Sequence, residues 1–135
     1  MSVFVDTSAI YAGIAADDEF HGAAVRDWTR LFERRESLLT HSLVEVEATA
    51  LLQIRLGVAA VEAMNDALLP QIRVVEVDRV RRRTALAALV TDRRRAVSVV
   101  DRVSFSLMSA LGIETAFTFD RHFAEAGFDL IGSRG

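Results

Sequence analysis

The chain has 135 residues, of which 51% are hydrophobic and 26% are charged; this predicts one folded domain over residues 1–135 and excludes a disordered chain. It contains no cysteine and no lysine, which excludes disulfides, thiolate metal sites, Walker-type phosphate-binding loops and Schiff-base chemistry. The net charge of −3 does not by itself indicate a nucleic-acid partner. The longest uncharged stretch, 103–113, is shorter than the roughly 20 residues of a membrane span, and the first residues lack the basic segment of a secretory signal. We therefore expect a cytoplasmic protein that does not associate with a membrane.

Short apolar runs alternate with amphipathic segments along the chain. Strands are predicted at 3–5, 37–40, 72–77, 115–119 and 128–131, and a further apolar run, 96–100, precedes Asp101. Helices are predicted after Asp6, over 20–32, 42–56, 58–69 and 78–92, from Asp101 to 111, and from Asp120 to 127. Pro70 is expected to end the fourth helix. This alternation is typical of an α/β fold around a mostly parallel sheet.

Four aspartates follow apolar runs of this pattern: Asp6, Asp78, Asp101 and Asp120. Parallel α/β sheets place their sites at the carboxyl ends of the strands, which makes these acids candidate site residues. The alternative is that each one only caps the helix that follows it. For Asp78 we expect capping alone, and the sequence leaves open whether the other three converge.

The helix predicted over 42–56 carries two glutamates with different expected roles. Ser42 and Glu45 fit a capping box, which gives Glu45 a structural role. Glu47 has apolar neighbours one helical turn away on both sides and is expected in the middle of an apolar face. A buried carboxylate must be protonated, paired or bound to a cation. Because the chain has no lysine, the partner of Glu47 is either an arginine or a metal ion.

Carboxylates without cysteine suit a hard cation, Mg²⁺ or Mn²⁺. Carboxylate clusters that hold one or two such ions commonly catalyse phosphodiester hydrolysis, because the ion activates a water and neutralises charge on the phosphate. This chemistry requires no lysine, serine triad or cysteine. The residue types present therefore favour a metal-dependent phosphodiesterase.

Four segments of the chain resemble, in the same order, the acidic motifs of PIN-domain ribonucleases. They are 1–8, with Asp6-Thr7-Ser8 after an apolar strand, 40–57 around Glu47, 98–105 around Asp101, and 118–123 with Thr-x-Asp followed by phenylalanine. The resemblance spans nearly the whole chain. The compact length is similar to that of VapC-type toxins of bacterial toxin–antitoxin pairs.

The resemblance implies a three-layer α/β/α sandwich and metal-dependent endoribonuclease activity at Asp6, Glu47, Asp101 and Asp120. Asp6 and Asp101 would be the main ligands of a Mg²⁺ or Mn²⁺ ion. Glu47 and Asp120 would complete the acidic pocket, directly or through waters.

Other residues of these motifs have two interpretations. Thr7, Ser8 and Thr118 either orient the carboxylates or make ordinary capping and turn bonds. Phe119 departs from the family pattern, because many members carry a small or polar residue there. His122 is a candidate general base by its residue type, but a surface or packing role is favoured for it.

Arginine is concentrated in two short runs. They comprise Arg81, Arg82 and Arg83, and Arg93, Arg94 and Arg95. These runs either contact RNA phosphates or form a solvated face with salt bridges to acids. The mean hydropathy of +0.25 predicts apolar surface covered by another chain. The resemblance implies two protein partners that would cover such surface, a second copy of the chain in a homodimer and a cognate antitoxin protein.

Two other functions stay open. One is a housekeeping PIN nuclease of RNA processing, which differs from a toxin in that its expression does not arrest growth. The other is a non-catalytic PIN-like module that binds RNA or protein. The presence of all four acids favours an enzyme over a binding module.

Overall fold

The computed structural model describes residues 1–132, which form five strands and seven α-helices. The strands are β1 (Ser2–Val5), β2 (Ser37–His41), β3 (Arg73–Val75), β4 (Thr115–Phe117) and β5 (Asp129–Ile131). The helices are α1 (Thr7–Ile14), α2 (His21–Glu33), α3 (Ser42–Leu56), α4 (Val58–Ala63), α5 (Arg79–Asp92), α6 (Val99–Leu111) and α7 (His122–Glu125). None of the helices formed by residues 1–132 has both the length and the apolar character that a bilayer span requires.

The five strands form one sheet in the order β3-β2-β1-β4-β5, and every neighbouring pair is parallel. The chain runs outward from β1 to β3 on one side and then crosses to β4 and β5 on the other side. The strand order therefore reverses between β1 and β4. In open parallel sheets, the crevice at this reversal is where ligands bind.

Helices cover both faces of the sheet, as two aromatic contacts show. Phe4 pairs with Ala116 of β4, so Phe4 and Phe117 point to opposite faces. The Phe117 ring packs edge-on against Trp28 of α2 at 5.0 Å, whereas the Phe4 ring stacks against Phe123 of α7 at 6.1 Å. Helices α1 to α4 pack together, and α6 packs against both α5 and α7. This arrangement confirms the predicted three-layer α/β/α sandwich.

The apolar run 96–100 is not a strand, so Asp101 does not follow a strand end. Val97 is buried in a connecting loop, and Ser98 begins α6 as its N-cap. The Ser98 hydroxyl accepts from the Asp101 backbone N–H, and the Asp101 carboxylate accepts from the Ser98 N–H. This reciprocal pair is a capping box, and it makes Val99 and Val100 the first helical turn.

The capping box predicted at Ser42 and Glu45 is wrong. The N-cap of α3 is His41, whose Nδ1 accepts from the backbone N–H groups of Leu43 and Val44. The Ser42 hydroxyl instead accepts from the Val77 N–H, 3.0 Å away, and so ties α3 to the loop after β3. The buried imidazole reaches the free N–H groups first because β2 extends to His41.

The helix predicted over 58–69 begins correctly but changes form. The α-helix ends at Ala63 and continues as a π-helical turn, Met64–Leu68, and a 3₁₀ turn, Leu69–Gln71. Pro70 therefore lies inside the 3₁₀ turn, near whose start a missing N–H costs nothing. The strands predicted at 72–77 and 115–119 are shorter and end at Val75 and Phe117. Beyond them, the Val77 N–H donates to the Ser42 hydroxyl and the Phe119 N–H donates to the Ser8 hydroxyl.

Gly13 provides a test of the packing between α1 and α2. A Cβ at this position would lie 2.7 Å from Nε1 of Trp28, whose indole donates to the Ala9 carbonyl. We expect Gly13→Ala to lower the free energy of unfolding by about 1–3 kcal/mol through overpacking, although alanine favours helix. Gly22→Ala is the matched control, because its Cβ would meet only the flexible Arg26 side chain and should stabilise by up to about 1 kcal/mol. Urea unfolding measures the change in free energy of unfolding for each variant. Equal changes for Gly13→Ala and Gly22→Ala would show that Trp28 leaves room for a Cβ at Gly13.

Candidate active site

The acids predicted from the sequence lie at the reversal of strand order. Asp6 directly follows β1 and donates its backbone N–H to the Phe117 carbonyl of β4. Thr118 and Asp120 follow β4, and Asp101 lies in the first turn of α6. Adjacent parallel strands thus bring together residues more than 110 positions apart in the sequence.

Asp6 is held by two hydroxyl groups. The hydroxyls of Ser8 and Thr118 each lie 2.8 Å from Oδ2 of Asp6, and the Ser8 N–H is 3.4 Å from the same oxygen. Burial raises the pKa of Asp6 to about 6, against these hydrogen bonds, and the charge of Asp101 raises it further. Asp6 caps α1 and is only 4% exposed. The cap and the candidate catalytic role therefore use the same side chain.

The same two hydroxyls also fix the loop after β4. The Phe119 N–H donates to Oγ of Ser8 at 2.9 Å, and the Asp120 N–H donates to Oγ1 of Thr118 at 3.0 Å. Ser8 and Thr118 therefore set the position of Asp6 and of the chain that carries Asp120. Both interpretations of these residues, turn bonding and orientation of a carboxylate, describe the same bonds.

Asp101 is buried, and burial raises its pKa. The hydrogen bonds with Ser98 lower that pKa, the charge of Asp120 raises it and His122 lowers it. Because the capping box uses Oδ2 of Asp101, the carboxylate is fixed at the start of α6. The capping box thus fixes the position of Asp101, and the charge of Asp120 raises its pKa.

Asp120 and His122 form a compact turn beside Asp101. Oδ1 of Asp120 accepts from the His122 N–H at 2.9 Å, and Nδ1 of His122 lies 2.9 Å from the same oxygen. One ligand atom from each of Asp101, Asp120 and His122 lies within 4.8 Å of the other two. A surface or packing role is expected for His122 from the sequence, whereas the structure places its imidazole in this group. The signal in the sequence was its spacing of two from Asp120, which lets a turn fold the ring back onto the carboxylate.

Glu47 lies at the edge of a buried stripe and not in the middle of an apolar face. The buried residues of α3 are Val44, Ala48 and Leu52, while Ile54, one of the expected apolar neighbours, is 82% exposed. Burial of Glu47 raises its pKa, the neighbouring Thr7 hydroxyl lowers it, and the charge of Asp6 raises it. Within residues 1–132, no arginine forms an ion pair with Glu47.

The four acids act on one another as one electrostatic group. The charge of Asp6 raises the pKa of Glu47, and the charge of Asp101 raises the pKa of Asp6. The charge of Asp120 in turn raises the pKa of Asp101. Apart from His122, no basic side chain in the described part of the chain forms an ion pair with these carboxylates. Burial and mutual repulsion without a compensating arginine suit a divalent cation, and oxygen donors with one imidazole fit Mg²⁺ or Mn²⁺.

The predicted RNA-binding arginines are spread over two regions. Arg81 bonds to Ser106 of α6, and Arg94 lies 3.6 Å from Glu125 of α7, which places it near His122. The remaining members, Arg82, Arg83, Arg93 and Arg95, are exposed. The Asp78 carboxylate accepts from the Arg81 N–H at the start of α5, and its predicted role as a helix cap is confirmed.

Arg102 fastens the loop that carries Arg93 to Arg95. Its guanidinium is paired with both carboxylate oxygens of Asp92 and also donates to the carbonyl oxygens of Arg94 and Val97. The hydrogen bond from Arg102 lowers the pKa of Asp92. One side chain therefore joins the end of α5, the loop and the start of α6, directly beside Asp101.

We expect Arg102→Ala to lower the midpoint of thermal unfolding by about 3–8 °C, because it leaves two carbonyl groups and Asp92 without this partner. Arg121→Ala is the control, since the Arg121 side chain is 82% exposed and its 3.9 Å pair with Glu125 contributes little. Differential scanning calorimetry compares the two variants. If both variants unfold at the same midpoint temperature, the Arg102 guanidinium does not stabilise the loop.

Comparison with known proteins places this geometry in a family. The PIN domain model matches residues 3–129. A 23S rRNA-specific endonuclease, VapC20 of Mycobacterium tuberculosis, is 37% identical over 127 residues, which are 93% of this chain and 95% of the relative.

Two crystal structures share the fold. VapC20 of Mycobacterium tuberculosis, described as a Sarcin-Ricin loop cleaving toxin, superposes with a TM-score of 0.78 at 36% identity, covering 93% of this chain and 95% of that one. PAE2754 of Pyrobaculum aerophilum superposes with a TM-score of 0.64 at 24% identity, over 97% and 92% of the two chains. The matched family model, the identity to VapC20 and the four ordered acidic motifs show that this chain belongs to the PIN-domain family and, within it, to the VapC-type proteins.

Proposed function

We propose that this protein is a metal-dependent endoribonuclease and the toxin of a type II toxin–antitoxin pair, acting as a single domain in the cytoplasm. The observation that carries the proposal is the cluster of Asp101, Asp120 and His122, whose ligand atoms lie within 4.8 Å of one another. Asp6 lies near enough to this cluster for the charge of Asp101 to raise its pKa. Among residues 1–132 no arginine forms an ion pair with these carboxylates, so a bound cation would offset the burial that raises the pKa values of Asp6 and Asp101. The family membership supports RNA as the substrate.

In this proposal Asp6 and Asp101 are the main ligands of one Mg²⁺ or Mn²⁺ ion, and Glu47 and Asp120 complete the pocket directly or through waters. A bound ion would supply Lewis acidity for activating a water and for neutralising charge on the phosphate. Ser8 and Thr118 hold the Asp6 carboxylate, with their hydroxyl hydrogens directed at Oδ2.

The remaining site residues have supporting roles. Ser98 fixes Asp101 through the capping box, and Thr7 opposes the rise in the pKa of Glu47. Oδ1 of Asp120 accepts from the His122 backbone N–H and lies 2.9 Å from Nδ1 of the His122 ring, so the imidazole is held beside this carboxylate.

The substrate is proposed to be ribosomal RNA, because VapC20 is named for cleavage of 23S rRNA. Phosphate contacts are assigned to the two arginine runs, of which Arg94 lies nearest to His122. A cognate antitoxin and a second copy of the chain are the proposed protein partners. Five well-exposed apolar side chains support a covered surface: Val46, Ile54, Val58, Val80 and Val90.

The test is cleavage of total bacterial RNA by purified protein that is free of antitoxin. Discrete fragments are expected with Mg²⁺ or Mn²⁺, and none with EDTA or with Asp6→Asn. Growth arrest on expression, together with a small adjacent reading frame that suppresses it, distinguishes a toxin from a housekeeping nuclease. Absence of both cleavage and metal binding would overturn the proposal in favour of a non-catalytic binding module.

A further inference from the structure

The end of β2 carries two polar residues, Thr40 and His41, to which the proposed chemistry assigns no role. Both side chains are 0% exposed. Buried polar groups are stable only when they are hydrogen-bonded, so the partners of these two side chains indicate what they do.

The hydrogen bonds of His41 determine which of its ring nitrogens carries the proton. Nδ1 accepts from the backbone N–H groups of Leu43 and Val44, which lie 3.2 and 3.3 Å away. Burial lowers the pKa of His41 to about 4, so the imidazole is neutral at neutral pH and its single proton is on Nε2. Nε2 lies 2.9 Å from Oγ of Ser104 and therefore donates to this hydroxyl.

The Ser104 hydroxyl extends this series of bonds to the start of α6. It donates its own hydrogen to the Val100 carbonyl oxygen at 2.9 Å, and Val100 directly precedes Asp101. Among residues 1–132, the bond between His41 and Ser104 is the one hydrogen bond that joins residues 37–56 to α6. The relative position of α3 and α6 therefore depends on this bond and on apolar packing.

Thr40 makes a corresponding connection to β1. Its hydroxyl donates to the Val5 carbonyl oxygen at 2.7 Å, and Val5 directly precedes Asp6. Two adjacent side chains of β2 thus reach the segments that carry Asp6 and Asp101. Because His41 also caps α3, the same point of the fold holds the helix that carries the third acid, Glu47.

We propose that His41 is a positioning residue of the acidic site, which sets Asp101 on α6 relative to Glu47 on α3 through its hydrogen bond to Ser104. It acts through these helices and not by contact with an ion or with RNA. The inference rests on the proposed metal-dependent function and adds to it a residue outside the four acids. Mg²⁺ requires near-ideal octahedral geometry, so a small change in the spacing of the carboxylates weakens binding.

Two substitutions separate the two bonds of the imidazole. In His41→Asn, the amide oxygen takes the place of Nδ1 and caps α3, but the side chain is too short to reach Ser104. In His41→Gln, the amide extends as far as Nε2 and can bond to Ser104, but α3 loses its cap. Ser104→Ala removes the other end of the bond, and alanine favours the helix.

Isothermal titration with Mn²⁺, without RNA, measures the effect on the site. His41→Asn and Ser104→Ala should each weaken Mn²⁺ binding roughly 10- to 100-fold, as loss of a residue that orients metal ligands does. The double variant should be no weaker than either single variant, because both remove the same bond. His41→Gln should bind Mn²⁺ as the unmodified protein does.

Urea unfolding of the same proteins distinguishes positioning from a purely structural role. His41→Gln lacks the helix cap and should be less stable than His41→Asn, although it binds Mn²⁺ more tightly. Single-turnover cleavage should follow the order of Mn²⁺ affinity and not the order of stability. Ser109→Ala, at an exposed serine of the same helix, is the matched control and should not change Mn²⁺ binding.

Two results would overturn the inference. One is Mn²⁺ affinity that follows stability, with His41→Gln weaker than His41→Asn; the other is unchanged affinity in Ser104→Ala, which decides the matter even if His41→Asn does not fold. If the unmodified protein cleaves RNA with Mn²⁺ in either case, only the role of His41 is wrong. If the unmodified protein neither binds Mn²⁺ nor cleaves RNA, the proposed function fails with it.

Discussion

Asp6→Asn and Asp101→Asn are each expected to abolish RNA cleavage while leaving the fold intact. Asparagine keeps an oxygen that accepts the hydrogen bonds from Ser8 and Thr118, or from the Ser98 N–H, but it removes the charge that binds a cation. Because metal-assisted catalysis contributes several kilocalories per mole to the barrier, the rate should fall roughly a thousand-fold or more. Single-turnover cleavage of a defined RNA in Mg²⁺ and in Mn²⁺ measures the loss.

The control for this experiment is Asp78→Asn. Asp78 is also an aspartate at the start of a helix, but its carboxylate accepts from the Arg81 N–H and lies outside the cluster of Asp101, Asp120 and His122. Asparagine is as good an N-cap as aspartate, so both stability and cleavage should be preserved. Isothermal titration with Mn²⁺ should show a weakened site in the Asp6 and Asp101 variants and an unchanged site in Asp78→Asn. Cleavage by Asp6→Asn at the normal rate would remove Asp6 from the site.

The architecture, and the position of Asp6 and Asp120 at one edge of the sheet, were accessible from the sequence because both depend on local patterns. Short β-branched and aromatic runs between amphipathic segments specify a parallel sheet, and such a sheet gathers its carboxyl ends at one edge. Asp6 and Asp120 illustrate this. Their convergence depends on β1 and β4 being neighbours, which no local pattern encodes, and the ordered resemblance to PIN-domain ribonucleases supplied that step.

What sequence reasoning missed depends on contacts between distant segments. The N-cap of α3 is the fully buried His41 instead of Ser42, because Nε2 of His41 is 2.9 Å from the hydroxyl of Ser104 in α6. Asp101 was placed after a strand because Val97, Val99 and Val100 have high strand propensity, which the capping box at Ser98 overrides.

The expectation that Glu47 lies in the middle of an apolar face was wrong for a related reason, since Glu47 lies at the edge of the buried stripe of α3. Helical spacing identifies neighbours, but it does not say which of several apolar stripes faces the sheet. On α3 the stripe through Val44 and Ala48 is buried, and the one that contains Ile54 faces solvent. A helix with apolar residues on more than one face leaves its orientation undetermined by its own sequence.

Two buried groups with opposite pKa shifts give a final prediction about stability. Burial raises the pKa of Asp6 from 3.8 to about 6. The contribution of this shift to the free energy of unfolding is therefore complete below pH 3.8 and is lost as the pH rises through 6. Burial lowers the pKa of His41 from 6.5 to about 4, so its contribution is complete above pH 6.5 and is lost as the pH falls through 4. Each difference corresponds to about 3 kcal/mol.

The two contributions oppose each other between pH 4 and 6, and single variants separate them. In EDTA, Asp6→Asn should gain stability over the unmodified protein as the pH rises, by about 3 kcal/mol between pH 4 and 7. His41→Asn keeps an acceptor for the α3 N–H groups, and its deficit should shrink by a similar amount as the pH falls over the same range. Urea unfolding at several pH values gives both differences. Because Asp101 and Glu47 also have raised pKa values, only the difference between two proteins isolates one group. A difference for Asp6→Asn that does not vary with pH would mean that Asp6 is ionised at little cost in the metal-free protein. A bound cation would then have no cost of burying the charged Asp6 carboxylate to offset.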